Sequence, residues 1–320
     1  MSKVYLSAKL PKIATQKLID AGFEVTVYDG TKLISHDTLL QNVKDIDFLI
    51  TPLSTKVDHD IIDAAPKLKL IANFGAGFNN IDTAYAKEKG IVVTNTPKVS
   101  TNAVSEVAIG LILALSHRIV EGDKKMRREG FPGWAPLYFL GHEIAGQTLG
   151  IVGLGNIGRD IARKANALGM HVQYYKRNPL SDPEERSEKV TYASLNTLIS
   201  TSDFIVISAP QTDENYHQFN MSAFKAMKST AAIINVGRGP IIDETALLEA
   251  LNNDEIAGAA LDVYENEPDV NDGLKLLKNV ILTPHIGNAS VEARDAMANI
   301  VADNIILVEQ EENANFIVNP

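Results

Sequence analysis

Short β-branched, apolar runs alternate with helical patterns along the first third of the chain. Lys3–Leu6, Glu24–Val27, Phe48–Ile50, Leu70–Ala72 and Ile91–Thr94 read as strands. Patterns of helical period fall between them, for example Ile13 to Ala21 and Asn80 to Lys89. This rhythm predicts a parallel sheet, because parallel neighbours need a crossover and a helix supplies it. A second series follows, with strands expected at Thr148–Val152, Val172–Tyr175, Phe204–Ile207, Ala231–Asn235, Ile256–Ala260 and Val280–Leu282. The expected fold class is α/β, with two doubly wound parallel-sheet domains. Asn95-Thr96-Pro97 ends the first series, and a long helix from about Asn102 to His117 precedes the second. After His285 one helical stretch remains, Ser290 to about Gln310, and a lone helix cannot form a domain. It is therefore expected to pack back on the first. The predicted organisation is a discontinuous, flavodoxin-like substrate domain, residues 1–100 plus 290–320, closing over a Rossmann dinucleotide-binding domain inserted at 101–289.

Composition narrows the partners. The 320 residues are 45% hydrophobic and 22% charged, as in folded globular chains, and their number suggests two domains. A formal net charge of −10 argues against nucleic acid or an anionic membrane as partner, since both are met by a basic face. Small molecules fit better. With no cysteine there are no disulfides, thiolate metal sites or cysteine nucleophiles, which suits a cytoplasmic location, and no metal site is expected. The longest apolar stretch, Ala103 to Leu115, contains Glu106 and is too short to span a bilayer, so it reads as a buried helix. The Gly130–Gln147 loop, with Trp134, is long for a connector and is expected to be an arm meeting a second subunit, making a homodimer.

Gly153-Leu-Gly155-Asn156-Ile157-Gly158 follows a predicted strand and opens a predicted helix, Arg159 to Leu168. In this context the first glycine permits a tight turn, the second lets backbone approach a pyrophosphate, and the third packs the helix against the strand. The helix N-terminus adds N–H donors and positive potential. A free ribose 2′-hydroxyl is usually held by an acid about 20 residues further on. Tyr174-Tyr175-Lys176-Arg177-Asn178 offers two cations there instead, which favours a 2′-phosphate and hence NADP, with NAD as the second possibility.

Three later segments combine reactive side chains with turns after predicted strands: Asn235 to Gly239 around Arg238, Asp262 to Pro268 around Glu267, and Thr283 to Gly287 around His285. Loops at the carboxyl ends of parallel strands line the ligand crevice, so all three can converge. Reduction of a 2-oxo acid needs a cation for the carboxylate and polarised carbonyl, an acid for the developing alkoxide, and a hydride donor. Arg238 suits the first role, and His285 supported by Glu267 suits the second. The other histidines, His36, His59, His117, His142, His171 and His217, are expected to be structural or exposed.

In these residues the chain resembles the D-isomer-specific 2-hydroxyacid dehydrogenases, a family that includes glyoxylate/hydroxypyruvate reductases, D-lactate dehydrogenases and phosphoglycerate dehydrogenases. The likeness also takes in Phe74 to Asp82, Thr101 to Ala114 and Gln147 to Gly158, and so covers nearly the whole chain. It implies that Arg238 binds substrate, that Glu267 and His285 form the acid–base pair, and that Asp262 touches the nicotinamide carboxamide. It implies that the backbone of Gly75, Ala76 and Gly77 receives the substrate carboxylate. Pro210, Val236 and Gly237 join the glycine motif, Asn156, Ile157, Lys176 and Arg177 as expected cofactor contacts. Lys176 departs from the acid that many NAD-using members carry. The expected substrate is a small 2-oxo acid of the glyoxylate, hydroxypyruvate, pyruvate or phenylpyruvate type. Two other readings stand beside it, a short-form phosphoglycerate dehydrogenase and a non-catalytic dinucleotide sensor resembling the C-terminal-binding corepressors.

Overall fold

Chain contacts divide the protein into two units, Met1–Ser100 with Ser290–Pro320, and Thr101–Ala289. The structure is a computed structural model and describes residues 1–320. In the first unit β1 (Lys3–Leu6), β2 (Glu24–Val27), β3 (Phe48–Pro52), β4 (Leu70–Phe74) and β5 (Val92–Thr94) pair in the order β2-β1-β3-β4-β5, every neighbour parallel. Central strands β3 and β4 are apolar almost throughout because both faces are covered. On one face Leu6, Phe48, Ile50 and Leu70 meet Met297, Val301 and Ile305 from the helix Val291–Glu309. Each such fully buried aliphatic side chain contributes about 1.5–3 kcal/mol over leaving it in water. That burial ties the C-terminal helix to a sheet built from the first hundred residues.

The second unit contains β6 (Thr148–Val152), β7 (His171–Tyr175), β8 (Thr191–Tyr192), β9 (Phe204–Ile207), β10 (Ala232–Asn235), β11 (Gly258–Leu261) and β12 (Val280–Leu282). Their order is β12-β11-β10-β9-β6-β7-β8, again all parallel. The chain runs outward from β6 to β8, then returns to place β9 on the other side of β6. This reversal leaves a crevice at the carboxyl ends of β6 and β9, where open α/β sheets bind ligands. The helix Thr101–Ser116 buries Val104, Ala108, Leu111 and Ile112 against this sheet, so its apolar run is core. No single helix is long and apolar enough to cross a membrane.

Two elements have no forecast in the pattern. Strand β8 has two exposed residues, too few to show alternation. The helix Ile119–Arg128 has no fully buried residue, and its Val120 is partly buried against the core.

Candidate active site

The cofactor turn is built by close packing on two of its glycines and by open space on the third. Gly153 has φ +95°, and a Cβ there would lie 2.7 Å from the Ala209 nitrogen at the end of β9. A Cβ on Gly158 would lie 2.2 Å from the Gly153 carbonyl oxygen. Strand and helix therefore approach as only glycine allows. A Cβ on Gly155 would meet nothing within 4 Å. Gly155 is the N-cap of the helix Asn156–Ala167, and no side chain caps it. The N–H groups of Asn156 and Ile157 consequently point out as anion donors. Pro210 follows β9, while Val236 and Gly237 follow β10, so these residues rim the same carboxyl edge. A dinucleotide pyrophosphate fits this arrangement.

Past β7, Lys176 is half-buried and Arg177 exposed, and no protein carboxylate forms a salt bridge with either. The turn behind them is fixed by Tyr174. Its hydroxyl donates to Glu185 Oε1 at 2.7 Å and accepts the Leu180 N–H at 2.8 Å. Burial, reinforced by the Glu185 bond, pushes this phenol up to about 12.

Arg238, Glu267 and His285 stand on loops after β10, β11 and β12, three adjacent strands. The Arg238 turn is set by Asn235, whose Oδ1 accepts the Gly237 N–H at 3.0 Å and whose Nδ2 donates to the Arg238 carbonyl at 3.0 Å. The guanidinium donates to the Gly237 carbonyl at 2.7 Å and makes no salt bridge. Burial lowers its pKa and Glu267 opposes that, yet an arginine stays charged. It is a cation with donors to spare.

His285 Nδ1 lies 2.8 Å from Glu267 Oε2, and the other Glu267 oxygen accepts the Tyr264 N–H at 3.0 Å. Burial works against ionisation of Glu267, but the His285 bond and charge, the Tyr264 N–H and Arg238 outweigh it and hold the carboxyl below its usual range. The carboxylate thus stays ionised against the imidazole, and its contact is with Nδ1. His285 has φ +51°, an unfavourable backbone for a histidine. Asp262 holds it there. One carboxylate oxygen accepts from Thr283 Oγ1 at 2.7 Å and from the Ile286 N–H at 2.8 Å, and the other accepts the Gly287 N–H at 2.8 Å.

In the first unit, Gly75, Ala76 and Gly77 form a turn at the end of β4. Asn95 Nδ2 donates to the Ala76 carbonyl at 2.7 Å and Asn73 Nδ2 to the Gly77 carbonyl at 2.6 Å. The Gly75 N–H is already given to the Asn73 carbonyl at 3.0 Å. Of the three expected carboxylate donors, only the Ala76 and Gly77 N–H groups remain for a ligand.

Residues 109–287 match the family model for the D-isomer specific 2-hydroxyacid dehydrogenase, NAD binding domain. The chain belongs to that family. As a D-2-hydroxyacid dehydrogenase it is an NAD(P)-dependent oxidoreductase. A protein of Staphylococcus aureus (strain MRSA252), named as a 2-hydroxyacid dehydrogenase, is 53% identical over 319 residues, covering 100% of both chains. Among solved structures, the TT0316 protein of Thermus thermophilus superposes with a TM-score of 0.94 at 34% identity, covering 99% of each chain. The NADPH-dependent glyoxylate/hydroxypyruvate reductase of Sinorhizobium meliloti, in complex with NADP and malonate, has a TM-score of 0.83 at 33% identity, covering 99% of this chain and 96% of that one.

The dehydrogenase also shows what the linear pattern hides. Three of the histidines expected to be structural or exposed have carboxylate partners: His36 with Asp58 at 3.1 Å, His59 with Asp82 at 2.7 Å, and His217 with Glu265 at 2.7 Å. Each partner lies 22 or more positions away, so no local motif announces the pair. His36, Asp58 and Asp60 bring ligand atoms within 4.8 Å of one another, but they are surface groups, and surface carboxylates gather this way without a metal. Asn235, Tyr264, Glu265 and Glu244 touch or brace the trio's loops. Only their neighbourhood to Arg238 and Glu267 in sequence could have pointed to them.

Proposed function

We propose that this dehydrogenase reduces a small 2-oxo acid to the D-2-hydroxy acid, with Arg238, Glu267 and His285 as the catalytic residues. The observation that supports this most is the Glu267–His285 contact of 2.8 Å, near a guanidinium that forms no salt bridge. Arg238 binds the substrate carboxylate and stabilises negative charge on the carbonyl oxygen. A bound nicotinamide cofactor would supply the hydride for C2. His285 gives its Nε2 proton to the oxygen as it becomes an alkoxide, and Glu267 stabilises the imidazolium before transfer. Gly153, Gly155, Asn156, Ile157 and Gly158 would hold the pyrophosphate of a bound cofactor, with Pro210, Val236, Gly237 and Asp262 along the same edge.

NADPH is the preferred reductant in this reading, because Lys176 and Arg177 stand where a 2′-phosphate needs cations. The Sinorhizobium meliloti enzyme, NADPH-dependent by name, supports it. We further assign a homodimer in the cytoplasm. Phe131, Trp134, Leu137 and Leu140 are 56%, 86%, 84% and 58% exposed within one short segment, and apolar surface so concentrated marks a contact face.

The test is a substrate panel of glyoxylate, hydroxypyruvate, pyruvate, phenylpyruvate and 3-phosphohydroxypyruvate, each with NADPH and with NADH. Turnover of one of the first four with NADPH favoured is the expected result. Selective use of the phosphorylated acid would instead establish a phosphoglycerate dehydrogenase. Tight cofactor binding without turnover of any acid would establish a sensor.

A further inference from the structure

Asp262 and Glu244 are the only charged residues among the buried polar groups of the whole chain. Burying a carboxylate is costly unless its oxygens are satisfied, so each needs a reason. Asp262 has one in the His285 segment it grips. Glu244, 6% exposed at the start of the helix Glu244–Asn252, has a parallel one. Its Oε1 accepts the Glu265 N–H at 2.8 Å, and the Asn271 N–H also favours its anion. These two N–H groups lie on either side of Glu267. Glu265 reaches back in turn: its Oε2 accepts the Glu244 N–H at 3.5 Å, and its Oε1 meets His217 Nε2 at 2.7 Å. His217 has φ +49° and is held by its own N–H to the Pro240 carbonyl at 2.9 Å.

We infer that Glu244 is a positioning residue that clamps the loop carrying Glu267, so that the Glu267 carboxylate stays in contact with His285. The two buried carboxylates thus divide the work, Asp262 fixing the histidine segment and Glu244 fixing the glutamate segment. Charge is not what the clamp supplies. Glu265, Glu267 and Tyr264 face Glu244, with His217 and Asp243 beyond Glu265, and the nearby acids disfavour a further anion. Reach and an acceptor oxygen are what the Glu265 N–H requires. An amide oxygen on a side chain of the same length provides both, whereas an aspartate falls one methylene short.

This inference rests on the catalytic roles proposed above, and three variants test it on the full-length protein. Glu244→Ala and Glu244→Asp should each lower kcat by about tenfold or more, while cofactor affinity and KM change by less than about threefold. Glu244→Gln should retain at least about a fifth of wild-type kcat. The order is diagnostic, because the variant that keeps the charge fails and the variant that loses it works. A second readout needs no turnover: the His285 imidazole resonance, at fixed pH, should move in the alanine and aspartate variants and stay near wild type in the glutamine variant. Wild-type kcat in Glu244→Asp or Glu244→Ala would overturn the clamp. So would a glutamine variant as impaired as alanine with unchanged melting temperature and cofactor binding. Should the alanine variant fail to fold, the aspartate and glutamine pair decides. Absence of turnover in the wild type would refute the catalytic reading instead, and the imidazole resonance would still report on the clamp.

Discussion

The Glu267 carboxyl is held below its usual range, and its charge sits against the ring proposed above as the proton donor for reduction. Reduction of a 2-oxo acid consumes a proton and oxidation of the hydroxy acid releases one. The two directions should show opposite pH profiles when chemistry limits the rate. Glu267→Gln replaces the carboxylate that meets His285 Nδ1 at 2.8 Å with a neutral amide, so kcat for reduction should fall while cofactor affinity stays nearly intact. An unchanged kcat would count against the pairing. His285→Ala removes the proposed proton donor and should lower kcat by about 10²–10⁴, the usual worth of a general acid, with cofactor affinity nearly intact. Binding titrations with NADPH beside single-turnover kinetics would separate the two effects. At the ribose end, Lys176→Asp should reverse the cofactor preference, since a carboxylate accepts a 2′-hydroxyl and repels a 2′-phosphate. The ratio of kcat/KM for NADPH and NADH checks this directly.

At the scale of elements, the precision of the site comes from how loops are tied to strand ends. The β6 turn works because strand and helix nearly touch. Gly158→Ala would set a methyl group against the Gly153 carbonyl, which is backbone and cannot step aside. Forced overpacking of this kind costs about 1–3 kcal/mol, so thermal melting should fall and cofactor binding weaken together. The turn after β7 depends instead on one phenol. Tyr174→Phe loses the bonds to Glu185 and Leu180, worth about 1 kcal/mol each in net stability. Because the phenol titrates near 12, these bonds persist through the physiological range. Their loss should weaken NADPH more than NADH, as Lys176 and Arg177 lie on the segment they brace. Equal weakening of both cofactors would show that the brace serves the fold alone.

For the whole molecule, the apolar segment from Phe131 to Leu140 sets the expectation of association. It lies after a helix with no buried residue, Ile119–Arg128, whose exposed Ile119 and Met126 extend the same character. Trp134→Asp combined with Leu137→Asp should convert a dimer to a monomer in sedimentation velocity, with the fold intact by circular dichroism. A wild-type protein that is already monomeric at micromolar concentration would remove the segment from consideration as an interface.

What the sequence determined by itself was whatever is written locally. Strand periodicity, the glycine spacing at Gly153, Gly155 and Gly158, and reactive residues following strands were legible because each depends on residues within one turn or strand of one another. The family likeness was legible for the same reason, being carried by ordered short motifs. Tertiary structure alone decided the order β12-β11-β10-β9-β6-β7-β8, which brings three distant loops to one edge. It alone made partners of His217 and Glu265, 48 positions apart, and of Glu244 and the Glu265 N–H, 21 apart. It also decided that Glu244 is buried, although its sequence neighbours give it the look of an ordinary acid in a helix's first turn. Burial and hydrogen-bond partners are properties of chain segments brought together, and only packing brings them together.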